Sequence, residues 1–319
     1  MTRYGAASMR TLVTGGAGFI GSNLVDALVA DGHTVSVADN LTTGRRSNLN
    51  PNARLYEVDV READGIETLF AAERPEIVFH LAAQIDVRRS VSSPGFDAAV
   101  NVAGTAVVLE AARAHGARRF MLACTGGALY GEAELVPTPE TARLAPLSPY
   151  GASKAAAESY CDLYARLHGL STVSLRLANV YGPRQDPRGE AGVVALFCAA
   201  ALEARPATVF GDGRQTRDYV YVGDVVAAFR RAATSSLVGA VNVGTGQQTT
   251  VLDLLDLLGL DGEHEPERLG EVRRSCLDPA LAAARLPWRA TTSLREGLRR
   301  TRAWAEGLEH DREARARGV

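Results

Sequence analysis

The stretch RTLVTGGAGFIGSNLVDALVADGHTVSVADN, from Arg10 to Asn40, constrains the fold more than any other part of the chain. It runs from a short apolar strand through a glycine-rich turn and an amphipathic helix into a second apolar strand, which makes one βαβ unit. The glycines are spaced GxxGxxG. Gly15 permits the tight turn, Gly18 lets a pyrophosphate approach the backbone, and Gly21 allows the helix to pack close to the strand. The first helical turn, at Phe19 and Ile20, then offers unpaired N–H groups to phosphate oxygens. Asp39 closes the second strand, where a carboxylate accepts hydrogen bonds from both ribose hydroxyls of an adenosine half. A 2′-phosphate would be repelled there, so the unit predicts NAD rather than NADP.

Further strand-like runs appear in RLYEVDV, EIVFHLAA, RFMLAC and TVSLRLA, separated by helical stretches such as NVAGTAVVLEAARAHG. This alternation predicts the α/β class with a doubly wound parallel (Rossmann) sheet. Asp59 and Val60, at the end of the third strand, are candidates for an adenine pocket, while His80 reads as a packed strand-end residue. At 319 residues the chain exceeds the usual size of one domain. After LANVYGPRQ the pattern becomes less regular, as expected for a smaller C-terminal α/β lobe that takes the substrate. The expected division is 9–178 plus 216–243 for the nucleotide-binding domain, 179–215 plus 244–308 for the substrate lobe, and 309–319 as a solvated tail.

Composition narrows the partners. Lys and Arg number 35 against 37 Asp and Glu, a net charge of −2, which gives no electrostatic footprint for nucleic acid. The four cysteines lack CxxC spacing, which argues against a metal site and suits free thiols in a reducing cytosol. MTRYGAAS has no signal-peptide core, and no run approaches 18 uninterrupted apolar residues, so the expectation is a cytoplasmic protein with no membrane partner. Tyr56, Trp288 and Trp304 read as packing residues.

Tyr150 and Lys154 form YxxxK inside SPYGASKAAAESYCDLYARLHG. Ser148 caps this predicted helix, Pro149 fills its first turn and Gly169 stops it. Positions i and i+4 share a face, which puts the ammonium near the phenol. A tyrosine with a reference pKa of about 10 needs such help to act as a base near neutral pH.

Together the residues TGGAGFIG, DNLTTG, HLAAQ, YGASK and RDYVYVGDV resemble the extended short-chain dehydrogenase/reductase family, in particular its UDP-hexose 4-epimerase branch. The resemblance implies bound NAD, with Asn40 and Gly44 beside Asp39, with Leu81, Ala82, Ala83 and Gln84 after the fourth strand, and with Asn101 on the helix that follows. It makes Tyr150 the base and Lys154 its partner and a ribose contact. It also implies a homodimer built on the helices Asn101–His115 and Pro149–His168, with Ala103, Val107, Ala156 and Tyr160 as candidate contacts.

The octet CTGGALYG, residues 124–131, bears on the chemistry. The family usually carries a Ser or Thr three to five residues before the tyrosine of the YG pair, where it bonds the sugar 4-hydroxyl. Counting back from Tyr130, the commonest place is Gly126, and Thr125 is its neighbour. Either Thr125 takes over, with Gly126 and Gly127 letting the backbone shift, or the site works with less hydroxyl help. Related 4,6-dehydratases typically read TDEVYG here. Gly127 and Ala128 provide no acid for proton removal at C5, which leaves oxidation at C4 and return of the hydride.

For the substrate, a UDP-hexose or UDP-hexuronic acid, the resemblance gives Asn179 and Arg217 to the diphosphate, the backbone near Val193 to the nucleotide and Phe210 to the uracil. RLGEVRRS departs from the usual RPG[DE] at Leu269, and it would supply Arg268 as a second diphosphate clamp and Glu271 as a ribose partner. Arginine suits such sites through its planar fork of donors. Arg88 resembles the VRxS arginine of UDP-glucuronate 4-epimerases and would pair with a 6-carboxylate, which puts UDP-glucuronate slightly ahead of UDP-glucose. Two rivals stay open: a sugar reductase or dehydrogenase that exchanges NAD(H) at every turnover, and a non-catalytic NAD-binding redox sensor.

Overall fold

The computed structural model describes residues 8–187, 192–267 and 272–316, with side chains up to Gly307 in the last helix. The chain divides into two compact units. One comprises residues up to Cys124 with Ser148–Leu175 and Phe229–Ala240; the other comprises Thr125–Leu147, Arg176–Ala228 and the chain from Val241 onward.

The first unit begins as the sequence predicts, with β1 (Arg10–Thr14), α1 (Phe19–Ala30) and β2 (Thr34–Ala38). After β3 (Arg54–Tyr56) come α2 (Ala63–Glu73), β4 (Ile77–His80), α3 (Val87–Ser92) and α4 (Pro94–Ala98). One π-helical turn, Ala99–Ala103, leads from α4 into α5 (Gly104–Ala114), and then follow β5 (Arg119–Thr125), α6 (Pro149–His168) and β6 (Ser171–Leu177). By length and composition the run Pro94–Ala114 is apolar enough to cross a bilayer. In the fold α5 lies against α2 and α6.

The remaining elements are β7 (Asn179–Tyr181), α7 (Val193–Leu202), β8 (Ala207–Phe210), β9 (Thr216–Arg217) and β10 (Tyr219–Tyr221). Then come α8 (Val222–Thr234), β11 (Gly239–Val243), β12 (Thr249–Thr250), α9 (Val251–Leu258), β13 (Gly262–Glu265), β14 (Arg274–Ser275), α10 (Ala280–Arg285) and α11 (Leu294–Ala316). The seven-stranded sheet has the order β11-β6-β5-β4-β1-β2-β3. Strand β1 runs parallel to both β2 and β4, β2 to β3, and β4 to β5. The order therefore reverses at β1 and β4, the doubly wound arrangement that was expected, and ligands in such sheets bind at the carboxyl ends beside the reversal. All residues of β4 and all but the first of β1 and β2 are buried, as in a sheet covered on both faces.

The third strand is shorter than expected. It stops at Tyr56, because Asp59 folds back to accept hydrogen bonds from Arg61 N and from the Asn40 amide, at 2.9 and 2.8 Å. Helix α6 has its expected bounds: Ser148 Oγ accepts from Gly151 N at 3.2 Å, and Gly169 ends the helix at φ +69°.

The second unit has its own core around Tyr181, Phe197, Val209, Leu254 and Leu298. Strand β7 runs parallel to β10 with Asn179 opposite Tyr219, and β9 lies between β12 and β14. Besides 176–178, 216–228 and 241–243, the segment 125–147 belongs with the second unit and not, as expected, with the first. Tyr130 explains why. Its hydroxyl accepts from Arg176 at 2.7 Å and donates to Asn242 Oδ1 at 3.0 Å, which ties the segment to residues of that unit. The tail expected at 309–319 is helical as far as Ala316.

Candidate active site

The residues expected to hold the nucleotide lie in the first unit. Gly15 turns the chain at φ +69°, a conformation that side chains rarely adopt. A Cβ on Gly21 would sit 2.1 Å from Gly15 O, so the helix can approach the turn only with glycine at that place. Gly18 is the N-cap of α1 and supplies no side-chain cap, and Phe19 and Ile20 begin the helix with no acidic residue in the first turn. The exposed N–H groups there suit a pyrophosphate.

Asp39 accepts from Ala17 N and Leu41 N, each at 2.9 Å. Burial pushes its carboxyl upward, opposed by these two bonds. A Cβ on Gly44 would come within 2.8 Å of Asp39 Oδ1, so glycine at 44 keeps the space beside the carboxylate that a ribose needs. Arg46 pairs with Glu57. These residues fit NAD.

The loop after β4 crosses the glycine turn. Leu81 N and Ala82 N both donate to Thr14 Oγ1 at 3.2 Å, and a Cβ on Gly15 would lie 2.7 Å from Ala82 N. Beneath it His80 bridges Thr14 Oγ1 at 2.8 Å and Thr105 Oγ1 at 3.0 Å. Thr105 donates its own hydroxyl to Asn101 O, so it accepts from His80 Nε2–H, and His80 Nδ1 then accepts from Thr14. The ring is thus neutral; burial, with Lys154 adding to it, holds its pKa down to about 3. His80 is a packed strand-end residue, as the sequence suggested.

Gln84 and Asn101 differ from the expectation of cofactor contacts. The Gln84 amide donates to Asp86 O and Asp97 Oδ1, and its carbonyl accepts from Asp86 N. The Asn101 amide donates to Gln84 O and Asp97 Oδ1, while its carbonyl accepts from Gln84 N. Both carboxamides are spent holding the 84–86 loop onto a buried aspartate. Asp59 is likewise engaged, since Arg61 and Asn40 hold its carboxyl well below the usual range, and Val60 is buried under Gly104. Ala83 is half-buried in the same loop.

Tyr150 lies in the first turn of α6 and is half-buried; its backbone N–H donates to Ser90 Oγ at 3.1 Å. Lys154, one turn on, is only 4% exposed. Burial pulls its pKa down, and Cys124, Cys161 and Asp97 raise it. Arg88 is exposed on α3. Its neighbour Arg89 lies over the Phe96 ring at 4.2 Å.

The second unit assembles the other set. Thr125 ends β5, and its Oγ1 accepts from Ala128 N at 3.3 Å. Gly126 N donates to Leu177 O, and Leu277 packs over Gly126 so closely that a Cβ there would have to displace the leucine side chain. A Cβ on Gly127 would make ordinary contact with Asn179 Oδ1 at 3.6 Å and Ser275 Oγ at 3.8 Å. Thus Gly127, Asn179 and Ser275 converge, and Ser275 is a residue the motifs did not single out. Next to Arg217, whose guanidinium donates to Thr216 O, the buried Asp218 accepts from Thr245 N, Gly246 N and Leu277 N. Val193 opens α7, and Phe210 ends β8, its carbonyl accepting from Gln215. Arg268 and Glu271 lie outside the described residues.

Residues 11–244 match the family described as the NAD dependent epimerase/dehydratase family. The chain belongs to that family. Among the relatives of this chain, the UDP-glucose 4-epimerase of Mycolicibacterium smegmatis is 48% identical over 305 residues, which cover 92% of this chain and 97% of that protein. Among solved structures, the UDP-glucose 4-epimerase of Thermotoga maritima with UDP-glucose superposes with a TM-score of 0.92 at 46% identity, covering 94% of this chain and 99% of that one. The Thermus thermophilus UDP-glucose 4-epimerase in complex with NAD gives 0.89 at 45% identity, over 94% and 99%. The family resemblance drawn from the motifs and the NAD cofactor are borne out.

Proposed function

We propose that the protein is a UDP-hexose 4-epimerase that keeps NAD bound and interconverts UDP-glucose and UDP-galactose. The observation that carries this reading is the pairing of a complete YxxxK helix with an octet that bears a hydroxyl but no acid. When bound, NAD would supply the hydride acceptor and donor for C4 of the sugar. Tyr150 removes the 4-hydroxyl proton and gives it back, and the Lys154 ammonium favours the phenolate. Thr125 supplies the hydroxyl that meets the sugar oxygen. Arg217 and Asn179 hold the diphosphate while the 4-keto sugar turns over. General-base help of this kind contributes about 10² to 10⁴ in rate.

The glycine turn, Phe19, Ile20, Asp39, Gly44 and the 81–83 loop hold the cofactor in this reading, and Lys154 adds a ribose contact. The uncapped α1 terminus and the space beside Asp39 support it. The sugar preference departs from the slight lead given to UDP-glucuronate, because Arg88 is exposed on α3 and the relatives named above act on, or are named for, UDP-glucose. A second copy of the chain fits the exposed Tyr160, Leu163 and Leu167 of α6.

The test is incubation of the purified protein, without added cofactor, with UDP-glucose, UDP-galactose and UDP-glucuronate, followed by separation of products. Interconversion of the two neutral sugars with no accumulation of NADH is expected. Turnover only with added NAD(P)H would make the protein a reductase. Preference for UDP-glucuronate that is lost in Arg88→Ala would restore the carboxylate role of Arg88.

A further inference from the structure

Asp97 is fully buried on α4, a helix that packs directly on α6. Its Oδ1 accepts from the Gln84 and Asn101 amides, at 2.9 and 3.1 Å, while Oδ2 is buried with no hydrogen-bond partner. Leaving a carboxylate oxygen unpaired in the interior is costly unless a cation lies within reach. Lys154 is buried on α6, the helix on which α4 packs, and its pKa is held up in part by Asp97. Two amides fix the carboxylate from one side, and each is itself locked by the loop after β4. The aspartate therefore cannot turn away.

We propose that Asp97 is a positioning residue for Lys154: its buried carboxylate is the counter-charge that keeps the Lys154 ammonium protonated beside Tyr150. It acts through Lys154 and touches neither sugar nor cofactor. The inference rests on the proposed epimerase reading for its effect on turnover, though not for its effect on the lysine. Several other groups surround the ammonium. His80 of β4 is neutral, so it adds no charge. Cys124 of β5 and Cys161 of α6 are buried thiols, and burial pushes Cys161 far above the usual thiol range, which keeps it neutral. Glu158, buried one turn beyond Lys154, and Tyr150 share its helix. Asp97 differs from Glu158 in having an oxygen with no other partner.

Asp97→Asn keeps the shape and an oxygen for the two amides while removing the charge. Two measurements then test the proposal. The first is unfolding of the unliganded protein in urea between pH 7 and 11. A lysine whose pKa is lower in the fold than in the unfolded chain makes stability rise with pH once the folded group loses its proton. That rise is expected to begin about one pH unit lower in Asp97→Asn than in wild type, to return in Asp97→Glu, and to be absent from Lys154→Met with or without Asp97→Asn. The second is the pH profile of turnover, whose alkaline limb shifts down by the same amount. Coincident profiles in wild type and Asp97→Asn, whatever the loss of stability or rate, would reduce Asp97 to a packing role and overturn the proposal. If the wild type epimerises no UDP-sugar, the function reading fails, and the unfolding series still decides the role of Asp97.

Discussion

Leu277 Cδ1 stands 2.4 Å from the point where a Cβ on Gly126 would lie, so a side chain at 126 would have to displace that of Leu277. The family's commonest hydroxyl position is therefore crowded in this chain. Gly126→Ser is expected to lose stability by about 1–3 kcal/mol through overpacking, and to gain no activity. Combining it with Leu277→Ala should recover part of that loss. Urea unfolding of the two variants checks the stability changes, and steady-state rates check the activity.

In the proposed reading Thr125 carries the hydroxyl that meets the sugar. Thr125→Val removes it at nearly constant volume. It also deletes the acceptor of Ala128 N, a loss of about 1 kcal/mol. Turnover should fall by about 10² or more, and Thr125→Ser should restore most of it. Steady-state rates with stability measured alongside separate the two effects; an unchanged rate would make the hydroxyl structural.

Tyr150→Phe is expected to abolish turnover while NAD remains bound. In the proposed reading the phenol serves proton transfer, whereas cofactor affinity comes from the glycine turn and Asp39. Absorbance of the released nucleotide after denaturation reports the NAD content, and substantial residual turnover would mean another base.

His80 gives the fold a dependence on acid. Its pKa is about 3 in the fold against 6.5 in the unfolded chain, chiefly through burial. Below 6.5 the unfolded chain takes up a proton that the folded chain refuses, so this group's contribution is lost as pH falls from 6.5 toward 3. The loss approaches 1.4 kcal/mol for each pH unit. His80→Asn should flatten that slope in unfolding experiments on the unliganded protein. An unaltered slope would assign the acid sensitivity to the carboxylates.

Asp218→Ala leaves the N–H groups of Thr245, Gly246 and Leu277 without their acceptor. At about 1 kcal/mol or more for each buried donor, a loss of at least ~3 kcal/mol is expected. Thermal unfolding measures it, and a change below ~1 kcal/mol would show that water replaces the carboxylate.

Much of this was legible in the sequence, for a physical reason. The βαβ unit, the glycine turn and the capped helix bearing Tyr150 and Lys154 are local patterns, fixed by neighbours a few residues apart. The third strand was overextended because Asp59, Arg61 and Asn40 bond in a way that apolar alternation does not encode. Asp97, Ser275, Leu277 and the anchoring role of Tyr130 escaped notice because each acts through contacts with distant parts of the chain. Asp97 did leave one sign: it stands four residues before Asn101 in a helical run, a spacing that puts both on one face. Asp218 was in plain view after Arg217, but nothing local says that it holds three amides rather than a ligand.

The four buried thiols are distributed two to each unit, Cys124 and Cys161 in the first, Cys198 and Cys276 in the second. Burial pushes Cys198 up to about 11 and Cys276 to about 12, and Cys161 further still, so these three carry almost no thiolate at neutral pH. An alkylating reagent can reach them only when the surrounding structure opens. The chain thus carries native clocks for its own breathing: the labelling rate at each cysteine reads the opening of one unit without any introduced probe, and nucleotide or sugar ligands can be ranked by which pair they slow.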